Sequence, residues 1–184
     1  MTATHSIPEP WRSFLMELDA SLTQEVCLHC IGGFVVTLVY GLARPTADVD
    51  VLSILPVDER LPLLEQSRLG SALHQRHGIY LDCVTVATYP ENYEERRGEI
   101  FPAGFQHIRL FALDPYDLAL TKLTRNIQRD REDVRHLARQ VPFDLETLQR
   151  RYPEELRPNL LGDPARHDLT MGLWTEMILE DRES

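Results

Sequence analysis

The sequence has 184 residues, 43% hydrophobic and 26% charged, with no repeat or low-complexity tract. This is the composition of an ordinary globular chain, able by size to bury about 70% of its unfolded surface in one domain. A net charge of −10 argues against a duplex-DNA binder held by general phosphate attraction. Three cysteines, Cys27, Cys30 and Cys83, are an odd count, and the start MTATHSIPEPW lacks the basic residues and apolar core of a signal peptide. A cytoplasmic location and no disulfide framework are expected.

Residues 10–22 place Trp11, Phe14, Leu15, Leu18 and Leu22 at helical spacings on one face, with Glu17 and Asp19 outside that stripe. Residues 25–31 read as a strand, ended by Gly32-Gly33, after which FVVTLVYGLA suits a short buried helix. The span 26–43 carries no charged residue, but its glycine pair and His29 disfavour a membrane helix. CLHC within that strand is a weak metal or redox signal beside its reading as small core residues.

Residues 48–55 form the next expected strand, stopped at Pro56, and residues 61–77 a helix that Gly78 is placed to end. A third strand is expected over 79–86 and a further one over 105–112, with the charged stretch 89–100 left open. From Asp114-Pro115, a helix-start pair, the chain reads as helical: 114–127, a helix from Arg129 with Asp130 as its cap, 144–152, and 164–181. The expectation is a mixed α/β sheet flanked by helices over residues 1–112, followed by a helical region over 113–184 packed on it as one structural unit.

The oddity is in RPTADVDVL. In an extended strand Asp48 and Asp50 share one face while Val49 and Val51 share the other, with the aspartate Cα atoms about 6.5–7 Å apart. Two like charges in an apolar run need neutralising, and that spacing lets both carboxylates reach one or two hard cations, magnesium above all. Asp82, the one charge in IYLDCVTV, is the candidate third carboxylate of a two-metal site for phosphoryl or nucleotidyl transfer, holding the hydroxyl-side metal and taking its proton. Paired aspartates also occur in exposed turns and helix caps. Gly32 and Gly33, at a strand-to-helix turn, would let backbone approach a phosphate.

IGG, a short helix and then GLARPTADVDVL resemble the signature of the nucleotidyltransferase superfamily typified by DNA polymerase beta. With an Arg and a Thr just before the aspartates, the pattern is most similar to bacterial minimal nucleotidyltransferases related to abortive-infection toxins of type IV toxin-antitoxin systems. PYDLALTKLTRNIQRDREDVRHL resembles their helical segment, so the likeness covers roughly residues 25–140. The 14 residues between Gly33 and Asp48 are slightly more than is common there.

The resemblance implies the nucleotidyltransferase fold, with Gly32 and Gly33 at the triphosphate, Asp48 and Asp50 on both Mg2+ ions and Asp82 as the third carboxylate. His29, Arg44 and Thr46 flank the expected cleft, Arg44 and Thr46 as nucleotide-binding candidates, each of the three also readable as a packing or turn residue. Lys122 is the one lysine against 18 arginines, a pattern that suits a point charge on a phosphate, with Arg129 beside it. An ordinary amphipathic helix explains both equally well. Asp130 and Asp133 read as helix-capping residues or as organisers of the site.

The function implied is Mg-dependent transfer of a nucleoside monophosphate from an NTP to a hydroxyl of RNA, protein or a small molecule. A toxin role would add an antitoxin protein as partner. The alternatives are a non-catalytic interaction module of a toxin-antitoxin system, and an aminoglycoside- or lincosamide-type antibiotic nucleotidyltransferase. A Rossmann-type binder lacks its GxGxxG.

Overall fold

The structure, a computed structural model, describes residues 7–85 and 87–183. The chain forms two compact units, residues 7–85 with 97–112, and residues 87–96 with 113–183.

The first unit is a mixed α/β layer. Its strands are β1 (Val26–Cys30), β2 (Asp48–Leu55), β3 (Tyr80–Cys83), β4 (Gly98–Ile100) and β5 (Ile108–Ala112), in the order β3-β2-β1-β5-β4. The β2–β3 and β1–β5 pairs are parallel, while β1–β2 and β4–β5 are antiparallel. Central β1 is almost wholly buried, as its continuous apolar run requires. His29 on it is fully buried and edge-on to Phe111, 5.9 Å between ring centres. That is a packing position.

Helix α1 (Trp11–Ala20) buries Phe14, Leu15 and Leu18 completely, each contributing about 1.5–3 kcal/mol. Asp19, outside the apolar stripe, is nonetheless buried. Its carboxylate accepts the backbone N–H groups of Gln106, His107 and Ile108 at 3.0, 2.7 and 2.7 Å, tying α1 to the start of β5. Helix α2 (Gly32–Leu38) follows β1 as expected.

The helix expected over 61–77 is two, α3 (Arg60–Ser67) and α4 (Ala72–His77). Arg68, already extended, ends the first, Gly70 turns the chain at φ +85°, and the Ser71 hydroxyl accepts the His74 N–H at 3.1 Å to cap the second. Gly78 ends α4 in the left-handed conformation, as its position predicts. The strand expected over 79–86 is the shorter β3, and Val86 lies outside the described residues, as do residues 1–6 of the opening stretch. Cys27, Cys30 and Cys83 are free thiols, and burial pushes the Cys30 thiol strongly up, consistent with core packing.

The second unit holds α5 (Tyr93–Arg96), α6 (Pro115–Leu120), α7 (Gln128–Gln140), α8 (Leu145–Arg151) and α9 (Pro164–Glu183). Asp114 caps α6, accepting the Asp117 N–H at 2.8 Å. The helix expected to reach 127 stops at Leu120; residues 121–125 form turns and Asn126 adopts φ +44°. Asp130 is accordingly not the N-cap of α7. It sits in the first turn and accepts the N–H of Ile127 at 3.1 Å.

Arg96 forks onto Asp117 at 2.9 and 3.1 Å and onto Glu155 at 2.7 and 3.2 Å. Arg151 bonds Asp114 at 2.6 Å and Asp117 at 2.9 Å. This cluster fastens the stretch 87–96 to the helices of its unit. Burial, with the neighbouring Asp114 charge, holds the Asp117 carboxyl above its usual range, an upward push that the Arg96 fork and the Arg151 guanidinium only partly offset. No helix among the described residues is long and apolar enough to cross a membrane.

Candidate active site

Alternation along β2 buries Val49 and Val51 completely and leaves Asp48 and Asp50 half-buried on the opposite face. Along β3 the same alternation buries Leu81 and Cys83 and turns Tyr80 and Asp82 outward. The two strands run parallel with Asp48 opposite Tyr80 and Asp50 opposite Asp82. Residues in register on adjacent strands lie about 5 Å apart on one face. Asp82 therefore stands beside Asp50, with Asp48 one pleat along.

The Gly-Gly turn closes on the same carboxylates. Gly32 begins α2 at φ +70°, and a Cβ built there would lie 2.1 Å from Oδ2 of Asp50. Both the backbone conformation and the space require glycine. The Ile31 N–H donates to the Asp50 carbonyl at 2.9 Å, locking the turn to β2. Gly33 is buried in the first turn of α2.

A family profile described as "Nucleotidyltransferase of unknown function (DUF6036)" matches residues 14–180, a span that contains both glycines and all three aspartates. The chain belongs to this family. Comparison with curated proteins and with solved structures gave no significant match.

The other sequence-derived candidates fall in two places. Thr46 and Arg44 lie in the connection before β2, both half-buried. The Thr46 hydroxyl donates to Oδ1 of Asp48. The Arg44 carbonyl accepts from the Thr37 hydroxyl at 3.3 Å, and its N–H donates to the Leu42 carbonyl at 2.8 Å.

Lys122 and Arg129 belong to the second unit. Lys122 is buried in the turns after α6, its Nζ 2.7 Å from Oδ2 of Asp133, itself buried. Arg125 forks onto buried Asp130 at 2.9 and 2.6 Å. Asp130 and Asp133 thus hold cations of their own unit, and Arg129 is exposed at the start of α7.

Tyr80 is the residue at this site that reading the sequence missed. Its phenol is pushed up by burial and then by the charges of Asp48, Asp82 and Asp50, so the negative field of all three carboxylates converges there. The signal was available: Tyr80 stands two residues before Asp82 and so on its face.

The donor set can be tested against a divalent cation. Among the described residues no three His, Cys, Asp or Glu side chains already close on one point as a cage. What the chain offers is three carboxylates on one sheet face, with Gly32 leaving room at Asp50. All-oxygen, anionic donors of this kind suit magnesium, which keeps several waters and takes few protein ligands.

Proposed function

We propose that the chain is a Mg-dependent nucleotidyltransferase that moves a nucleoside monophosphate from an NTP to a hydroxyl acceptor and releases pyrophosphate. The observation that carries this reading is the register of β2 and β3, which sets Asp82 beside Asp50 with Asp48 on the same face.

Asp48, Asp50 and Asp82 would hold the cations. Bound magnesium supplies neutralisation of the triphosphate and lowers the pKa of the acceptor hydroxyl. The acceptor oxygen attacks the α-phosphorus as the bond to pyrophosphate breaks in line, and the exposed Asp82 carboxylate accepts the proton that the hydroxyl loses. Gly32 and Gly33 leave backbone free to approach the triphosphate. The absence of a Cβ at Gly32 also lets the Asp50 carboxylate stand where it does.

The acceptor is a hydroxyl of RNA, of a protein or of a small molecule. The acidic net charge favours a short or compact acceptor over long RNA. If the chain serves as a toxin, an antitoxin protein is its partner. The matched carboxylate pair supports turnover over a non-catalytic module, which has no need of like charges in register.

The test is incubation with magnesium and each α-labelled NTP, alone and with total RNA, protein lysate or small hydroxyl compounds. Label should move to one acceptor class with release of pyrophosphate, and chelation of magnesium should stop it. No transfer with any nucleotide or acceptor would remove the enzyme reading.

A further inference from the structure

We infer that Thr46 is a positioning residue, whose hydroxyl fixes one oxygen of Asp48 so that the other is presented to a divalent cation. The inference rests on the metal reading of the carboxylates above and goes beyond it, because Thr46 itself is then neither a metal ligand nor a nucleotide contact.

Residues 41–47 have no regular secondary structure, so Asp48 is the first residue of β2 and has no strand neighbour before it to confine its side chain. Repulsion from Asp50, two residues on, would turn a free Asp48 carboxylate away from the shared face. Two contacts oppose that rotation. The Tyr80 N–H donates to the Ala47 carbonyl at 3.0 Å, extending the β2–β3 pairing one residue beyond the strand. Ala47 is thereby held between its neighbours, and Thr46 and Asp48 fall on the same side of the chain. The Thr46 hydroxyl then donates to Oδ1 of Asp48.

A hydroxyl donor to an ionised carboxylate is a directional, charge-assisted bond. It leaves Oδ2 with its lone pairs for a cation. The β-branched side chain of threonine, stiff about χ1, holds its donor in place better than a free rotor. Partners of this kind behind metal-binding carboxylates typically change affinity by about 10- to 100-fold when removed.

The test is Mn2+ binding to the full chain, followed by the loss of the free-ion EPR signal, for wild type, Thr46→Val, Thr46→Ala, Thr46→Ser and Asp50→Ala. Metal-free thermal melting serves as the fold control. Thr46→Val keeps the shape and removes the donor, so its dissociation constant should rise about tenfold or more with an unchanged metal-free melt. Thr46→Ala should match it, and Thr46→Ser should return to within about threefold of wild type.

Wild-type affinity in both Thr46→Val and Thr46→Ala, alongside loss of binding in Asp50→Ala, would overturn the role of Thr46 and leave the metal reading standing. No Mn2+ binding by wild type, with or without NTP, would remove the metal reading and this inference with it. Weakening that tracks a lowered metal-free melt in every Thr46 variant would assign Thr46 a purely structural role.

Discussion

Asp50 and Asp82 face one another in parallel register across β2 and β3, two like charges on neighbouring strands of one sheet face. Like charges opposite each other destabilise a sheet, at roughly 0.2–1 kcal/mol for a solvent-screened pair. Asp82→Asn should therefore raise the metal-free melting temperature. Magnesium with NTP should stabilise wild type, by about 2.7 kcal/mol when the ligand is at a hundredfold its dissociation constant. Asp82→Asn should lose most of that gain. Paired thermal melts with and without Mg-NTP check both signs, and a variant that still gains the full increment would detach Asp82 from the metal.

Gly32→Ala meets two obstacles at once. A positive φ of +70° strains any L side chain, and the new methyl would collide with the Asp50 carboxylate at 2.1 Å. The backbone term alone costs about 1–3 kcal/mol. The carboxylate can relieve the collision only by swinging away, so nucleotide-dependent activity should fall even where the protein remains folded. Urea unfolding and a transfer assay on the folded fraction separate the two effects.

Lys122 and Asp133 make a buried ion pair, 5% and 1% exposed. Removing one partner strands the other charge, so Lys122→Met should cost about 3–5 kcal/mol in urea unfolding. Lys122→Met with Asp133→Leu should recover most of it, since an apolar pair of similar volume leaves no buried charge. A loss under about 1 kcal/mol in the single variant would show the pair to be no better than a surface bridge.

Much of the first unit was legible because its signals are local. The alternation DVDVL fixed which face carries the acids, and Gly-Gly marked the turn before α2. Signals that depend on distant partners were not. Asp19 looked solvent-facing because its three N–H donors lie 87 to 89 residues away in sequence. The helix-start pair Asp114-Pro115 suggested one helix to residue 127, yet the chain turns after Leu120 and reverses through left-handed Asn126. That reversal brings Asp133 to Lys122, which no helical wheel could show. Gly70-Ser71 was readable in hindsight as a turn followed by a cap.

A pH effect follows from Asp168. Arg157 forks onto it at 2.8 and 2.9 Å and the Tyr152 hydroxyl donates at 2.7 Å, holding its carboxyl down at about 2 from an ordinary 3.8. A lowered folded-state value means that this group stabilises the fold above pH 3.8 and loses that contribution as pH falls from 3.8 through about 2. Urea unfolding of wild type and Arg157→Gln should give stabilities that converge on acidification through that window. A gap between them that stays constant with pH would contradict the assignment.

The central claim is that the Asp48, Asp50 and Asp82 face performs nucleotidyl transfer. The most direct measurement is pyrophosphate release and α-label transfer by wild type and Asp50→Ala side by side, in magnesium, with the fold of both verified by circular dichroism. The prediction is stoichiometric pyrophosphate and labelled acceptor from wild type, with a loss of about a thousandfold or more in Asp50→Ala. Equal rates in the two proteins, or no transfer by wild type with any NTP and acceptor class, would contradict it.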